Sequence, residues 1–528
     1  MLDTLASRGA TTPWAYTDTS RQAAAIDRRA VGEVEEEGGA LLAGPAAAET
    51  TAWRLDGRLD DWPDRALHVP DPTGDPRRPA AGDQPGRDIT ALYARVEASA
   101  LHVGLRFSTV ERGDEEPGLL LLIDADRDVD TGRRIGRLGA ELVWDIGDRT
   151  GRIHVEGDEP PLDDDTTLRD FLGLLVAPTV TASTLEVTLP RGLDRHDLFA
   201  DRAIHLAVVD ERSRDRAPDD GSFTLVWPDE NEPVATIPLE RAPQADLRLA
   251  SYNIEHDGLF ETDDDDRQAA LRRLLSTIDP DVWVFNEVWD HDGEQVRARL
   301  GSLLDRDLSD WSAVRRDDGN VLLSRYPVRR SWTVIDDVDT EEGGHRITAA
   351  LLDPPDREVL VVANHWRCCD ADSMRQIEAD GVIRFLRDAR TAGGRIDLDE
   401  GTPIVLAGDF NLVRERQQLD TVMTGDVIDE ARFGPDFAPD WDDTPLLDVP
   451  IRHVEQRFLH TWDVEGSRFG PGRLDWVFVT DSVVDTPRHY VLDTGRMSPA
   501  TLQQYGLDAT DARVASDHFP LVVDLRWK

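Results

Sequence analysis

Between residues 247 and 528 the chain repeats one arrangement, a short apolar run with a polar cluster at one end. Leu247–Tyr252 leads into Asn253-Ile254-Glu255, Val282–Phe285 into Asn286-Glu287, Val359–Ala363 into Asn364-His365, and Ile404–Ala407 into Gly408-Asp409-Phe410-Asn411. Arg473-Leu474-Asp475 precedes Trp476–Val479, and Ser516-Asp517-His518-Phe519-Pro520 precedes Leu521–Leu525. Runs this short and this apolar, together with Val321–Ser324, read as buried strands. Asp266–Ile278 and Ser373–Ala389 carry helical spacing instead, the latter through Ile377, Val382, Phe385 and Leu386. Strands alternating with amphipathic helices predict a layered α/β domain. Taken singly, an Asn or Asp at a strand end is a turn or a cap. Taken together, histidines, carboxylates and asparagines at the strand ends of one domain fit hard-metal phosphoryl chemistry.

With the stretch Gly319–Val328 ("GNVLLSRYPV"), this ordered set resembles the endonuclease/exonuclease/phosphatase superfamily of DNase I-like enzymes. The resemblance covers residues 247–528 and implies a four-layer α/β sandwich. It also implies a divalent-metal-dependent phosphoester hydrolase, a phosphodiesterase or nuclease that attacks phosphorus with an activated water. By position, Glu287 would be the main carboxylate ligand of Mg²⁺ or Mn²⁺, with Glu255 and Asp517 as further ligands and Asn253 supporting them. Asp409 would orient or deprotonate the water, and Asn411 would hold the phosphate or the transition state. His518, paired with Asp475, would hydrogen-bond a phosphoryl oxygen, and His365 would protonate the leaving group. Asn286 departs from the family's usual glutamine, and Glu255 stands where some members carry aspartate. Arg346 is either a phosphate contact or a surface arginine.

The text before residue 228 is different. Ile89–Phe107 alternates around a break at Ala98-Ser99-Ala100, which suggests a hairpin. Gly118–Ile123, Ala140–Ile146, Thr184–Leu189, Ile204–Val209 and Phe223–Trp227 are further short strands. Such spacing predicts a β-sandwich. The expected organisation is a flexible segment over 1–50, an all-β sandwich over 51–228, a linker over 229–246 and the catalytic domain over 247–528. Asp124-Ala125-Asp126-Arg127-Asp128 places carboxylates at every second position, which suits either Ca²⁺ or a solvated turn. With "WRLDGRLDDWP" (Trp53–Pro63) and "GAELVW" (Gly139–Trp144), the segment resembles family 9 carbohydrate-binding modules and DOMON domains. That resemblance implies that Glu141 completes a calcium site with Asp124, Asp126 and Asp128. Trp53, Trp62 and Trp144 then either stack on sugars or sit in the core.

Composition bounds the rest. Lys plus Arg number 59 against 105 Asp plus Glu, a formal charge of −46, and the only lysine is Lys528. Acidic surface can repel phosphate polymers, but Asp-rich, Lys-poor text spread along a chain is also what hydration in high salt favours. The charge therefore does not exclude a nucleic-acid substrate; lipid headgroups and sugar phosphates remain open too. No run of 18 apolar residues occurs, which excludes a membrane-spanning helix. Two cysteines exclude a disulfide scaffold. They are adjacent, Cys368-Cys369, and a vicinal disulfide beside His365 is expected over a soft-metal site or a reduced packed pair. Residues 1–50 show no signal-peptide pattern, so a secreted or envelope location rests on the module resemblance, with the cytoplasm as the alternative. The rival function is a carbohydrate- or surface-binding protein carrying a degenerate, inactive phosphatase-like domain.

Overall fold

The computed structural model describes residues 53–528 apart from 63–65, 76–86, 112–116, 148, 155–174, 192–198, 200, 220, 338–343, 465–466 and 468. The lead-in expected to be flexible, residues 1–50, lies outside the described residues.

Period-two alternation drives the first unit. Leu101, Val103, Leu105 and Phe107 turn inward from the strand Ala100–Glu111, and His102 between them is buried on the opposite face against Trp53. One antiparallel sheet runs in the order Leu67–Pro70, Ile89–Glu97, Ala100–Glu111, Ala182–Pro190, Leu175–Ala177. A second runs Arg216–Ala217, Ala203–Asp210, Leu119–Asp124, Leu142–Asp145, Thr150–Ile153, with Phe223–Val226 paired to Ala203–Asp210. Their inner faces share one apolar core. The strand Leu119–Asp124 is apolar at every position but its last because both of its faces are covered. Leu120 and Leu122 pack under the small hairpin carrying Ile135 and Leu138. Trp53, Trp62 and Trp144 are all buried, so they belong to the core and offer no ring face to a sugar.

In the second unit two six-stranded sheets pack face to face. The first runs Ser312–Val314, Asn320–Ser324, Val282–Asn286, Leu247–Asn253, Leu521–Trp527, Val484–Val491. The second runs Val328–Thr333, Ile347–Leu352, Val359–His365, Ile404–Asp409, Asp475–Val479, Leu447–Asp448. Leu249, Val282 and Val523 of one meet Val361, Val405 and Val477 of the other. Helices Asp265–Ile278 and Gly293–Leu304 cover the outside of the first sheet, and Asp372–Arg390 and Gln417–Thr424 that of the second. The result is the four-layer α/β sandwich of DNase I-like proteins.

Several elements go beyond the sequence expectation. Gly293–Leu304 is helical because Asp292 and Gln295 form a reciprocal capping box. Val484–Val491 is an edge strand whose alternation is broken by a bulge between Asp485 and Arg488 around Pro487. The expected linker is pinned to the catalytic domain: Ile237 N donates to Val454 O at 3.0 Å, and buried Leu239 accepts from Arg248 and Tyr490.

The sandwich docks on the catalytic domain just past Asn411. Thr181 N donates to Arg414 O at 2.7 Å, and Arg414 N donates to Thr179 O at 2.9 Å. Thr179 Oγ1 donates to Leu412 O at 2.7 Å. The guanidinium groups of Arg95 and Arg457 lie 5.3 and 4.8 Å from the Trp53 ring centre, and both arginines meet Glu232.

Candidate active site

Strand register collects the polar ends into one layer. Asn253 sits opposite Asn286, and Asn286 opposite Asn320, in the first sheet. His365 sits opposite Asp409, and Asp409 opposite Asp475, in the second. Because the two sheets face each other, both rows open at the same edge. Asn286 ties them: its Nδ2 donates to Asn320 Oδ1 at 2.6 Å and to Asn364 O at 2.9 Å, and its Oδ1 accepts from Asp409 N at 3.2 Å.

The loops leaving these strands hold unusual backbone. Glu255, His256 and Asp257 are left-handed in succession, with φ of 48°, 50° and 58°, and Glu287 and Asn411 follow at 61° and 48°. Non-glycine residues reach this region at a cost that the surroundings must offset, and such outliers gather at functional sites. Here the compensation is visible. Asp257 N donates to Glu287 O at 2.9 Å, and the Asp257 carboxylate accepts from Trp289 N and Asp290 N, both at 3.1 Å.

At the centre lies Asp409, buried. Its Oδ2 accepts from Asn253 Nδ2 at 3.1 Å and lies 3.9 Å from both His365 Nε2 and His518 Nε2. Its Oδ1 accepts from Asn411 N at 3.0 Å. His518 Nδ1 donates to Asp475 Oδ2 at 2.7 Å, which fixes Nε2 toward the site, and Thr461 Oγ1 donates to the same oxygen at 2.7 Å. Burial works against a charged His518, but Asp475, then Asp409 and Asp517, outweigh it and hold the imidazolium well above its ordinary range. His365 goes the other way: burial, then Arg346 and His518, push it well below that range. Burial likewise raises the Asp409 carboxyl, with Asp475 and Glu287 adding to it and His518 opposing.

Glu287 accepts from Asn253 Nδ2 at 3.2 Å and from His256 N at 3.0 Å. Glu255 lies across from it, 3.4 Å from Arg267 Nη2, and is raised by burial and by Asp517. Asp517 accepts from Trp462 Nε1 at 3.0 Å. Glu255, Glu287 and Asp517 share one rim, yet they are not among the groups of described residues whose ligand atoms all lie within 4.8 Å of one another. Asn411 Nδ2 donates to Trp366 O at 3.1 Å. Arg346 is not a free surface residue: its guanidinium lies 4.6 Å from the Trp289 ring centre, and that ring is 5.4 Å from His365.

The expected vicinal disulfide is not formed. Cys368 and Cys369 are free thiols with sulfurs 2.8 Å apart, in hydrogen-bonding contact. Arg375 fixes their turn by donating to Arg367 O and Cys369 O, both at 2.9 Å.

In the first unit Asp124, Asp126 and Glu141 bring ligand oxygens within 4.8 Å of one another. Asp128 is not part of that group; its Oδ1 accepts from Asp130 N at 3.0 Å, as a turn carboxylate does. Glu141 Oε2 accepts from Ala125 N at 2.6 Å, while its Oε1 is buried without a partner.

Sequence reasoning missed Asn286 as a hub, along with Asn320, Thr461 and Trp462. Asn286 had a signal in its place beside Glu287. Thr461 and Trp462 had none, because they lie outside any strand and reach the site only through the fold.

The Endonuclease/Exonuclease/phosphatase family profile matches residues 250–518. Among solved structures, D. rerio TDP2 complexed with single strand DNA product is 16% identical over 53% of this chain and 98% of that chain, at a TM-score of 0.35. The human Nocturnin catalytic domain with bound sulfate anion is 14% identical over 55% and 97%, at 0.34. A protein from Leptotrichia buccalis C-1013-b is 13% identical over 53% and 99%, at 0.36. No curated protein sequence matches the chain.

Proposed function

The chain belongs to the endonuclease/exonuclease/phosphatase family, and from that premise we propose that it is a divalent-metal-dependent phosphodiesterase. The observation that carries the reading is Asp409 Oδ2, buried and 3.9 Å from the Nε2 atoms of both His365 and His518. Asp409 takes a proton from the attacking water at Oδ2; burial raises its proton affinity, and Asn253 orients it. His518 donates from Nε2 to a phosphoryl oxygen, with Asp475 fixing the tautomer. His365 Nε2, 3.9 Å from Asp409 Oδ2, would receive the proton taken from the water once a bound phosphate raises it, and pass that proton to the leaving oxygen. Glu287, Glu255, Asp517 and Asn253 form an all-oxygen donor set, which fits a hard cation such as Mg²⁺ or Mn²⁺. When bound, that cation would neutralise charge developing on the phosphoryl group.

A phosphodiester of a nucleic acid, lipid headgroup or sugar is the proposed substrate class. The test is hydrolysis of bis-p-nitrophenyl phosphate with Mg²⁺, stopped by EDTA. Glu287→Gln should raise the Mg²⁺ needed for half-maximal rate by about 10- to 100-fold, as loss of metal-site support does. No turnover with any divalent metal at low or high salt would overturn the reading in favour of an inactive binding protein.

For the sandwich, the proposal is a calcium site at Asp124, Asp126 and Glu141 in an accessory module, with carbohydrate as its candidate partner. Burial, with Asp126 and Asp124 adding to it, pushes Glu141 up to about 7 against an ordinary 4.5. The unfolded chain thus ionises at lower pH than the folded one, and stability drains away as pH rises from about 4.5 through 7. In EDTA the sandwich melting temperature should fall between pH 5 and pH 7.5. Calcium should abolish that fall, and Asp126→Asn should abolish the calcium effect; a melting temperature indifferent to both variables refutes the site.

A further inference from the structure

Behind the active site, three buried residues outside the catalytic set converge: His453, His460 and Asp493. An imidazole nitrogen of each histidine and a carboxylate oxygen of Asp493 all lie within 4.8 Å of one another. His453 Nε2 is 2.7 Å from His460 O, and a carbonyl only accepts, so the ring proton is on Nε2. Nδ1 of His453 then faces Asp493 Oδ2 at 3.4 Å. Neither atom makes a hydrogen bond of ordinary geometry, although Asp493 Oδ2 also lies 3.2 Å from Arg496 Nε. His460 Nε2 is likewise buried and unpartnered.

A proton on Nδ1 would normally close such a gap. Charge-assisted N–H···O contacts, however, settle near 2.7–2.9 Å, as His518 and Asp475 do at 2.7 Å in this chain. The chord across a tetrahedral metal with bonds of about 2.0–2.1 Å to nitrogen and oxygen is about 3.3–3.4 Å. The second nitrogen of a metal-binding histidine commonly donates to a backbone carbonyl, the contact His453 Nε2 makes. Arg496 Nε, 3.2 Å from Asp493 Oδ2, is the competing cation, but its side chain is part-exposed at the rim while the three ligands are interior.

We propose that His453, His460 and Asp493 hold a structural Zn²⁺, or another metal of the imidazole-preferring kind, in addition to any hard cation at the catalytic edge. Two imidazoles and one carboxylate leave a fourth position for water. The site would clamp the segment 453–462 to the end of the strand Val484–Val491. That segment carries Thr461, which holds Asp475, and Trp462, which holds Asp517. The metal would thus set the frame in which His518 is oriented, without touching substrate.

The test reads metal, not activity. Full-length protein is stripped with a chelator, reloaded with Co²⁺ and scanned between about 500 and 650 nm, where four-coordinate Co²⁺ absorbs strongly and octahedral Co²⁺ weakly. One equivalent should give the intense band, and His460→Gln and Asp493→Asn should each remove it. No intense band in the wild type overturns the proposal, as does a band undiminished in folded variants. Should both variants fail to fold, zinc-edge X-ray absorption on the wild type decides. A shell of two imidazoles with light oxygen ligands supports the site, whereas sulfur would assign the metal to Cys368-Cys369 and overturn it. A wild type that binds Co²⁺ here but hydrolyses no phosphodiester would overturn the proposed function and leave this result intact.

Discussion

Asp409→Asn is expected to lower kcat on bis-p-nitrophenyl phosphate by about 10²- to 10⁴-fold, the range for losing a positioned general base, with KM little changed. The substitution keeps the shape and the acceptor for Asn411 N but removes the proton-accepting oxygen at the centre of the two-imidazole arrangement. His518→Gln should cost about 10²- to 10³-fold, as loss of one preorganised donor to a developing oxyanion does. Because the two groups act on one phosphoryl centre, the double variant should lose far less than the product of the single losses. Fully multiplicative losses would mean that the residues act independently and would remove the argument for a single unit. Unfolding is excluded as the cause if the thermal transition of each variant stays close to that of the parent.

Gly408→Ala should damage the same site through the backbone. Gly408 has φ of +139°, outside the range an L side chain adopts comfortably, and a Cβ there would lie 1.9 Å from Asn364 O. Asn364 O is fixed because Asn286 Nδ2 donates to it at 2.9 Å, so the strand cannot yield without breaking the tie between the two sheets. Backbone strain of about 1–3 kcal/mol adds to an overpacking cost of about 1–3 kcal/mol. At about 2–4 °C per kcal/mol for a domain of this size, the catalytic transition should drop by roughly 5–20 °C. Gly393→Ala is the control: φ is +77°, but nothing lies within 4 Å of the added carbon, so only the strain remains. If the two substitutions lowered the transition equally, the clash at Asn364 would not be the cause.

The parts of this protein legible in its sequence share a physical origin. Buried strands such as Val359–His365 must be apolar, and a polar residue at their end must have a reason to be there. Hence the polar strand ends that hold Glu287, Asp409 and His518 could be picked out from the text, and the family resemblance gave those residues their expected roles. The helix Gly293–Leu304 was also written there, in Asp292 and Gln295, as a capping signal that hydrophobic periodicity overlooks. Less legible were groups brought together by side chains from unconnected segments. Asp128 fits the alternating carboxylate spacing as well as Asp126 does, and both accept from turn N–H groups, yet only Asp126 is grouped with Asp124 and Glu141. The adjacent cysteines suggested a bond; the turn that Arg375 holds brings their sulfurs to 2.8 Å without one.

What the sequence carried by itself was the layering of the fold and the polar residues at its strand ends, because apolar period and strand-end composition are local properties. What only the tertiary structure decided was protonation and partnership. Two histidines with the same ordinary pKa are driven apart, His365 downward and His518 upward, by burial and by which of them meets Asp475. His453, His460 and Asp493 come from three separate segments and meet only after the sheets have packed. Electrostatics depends on distance in space, and distance along the chain does not carry it.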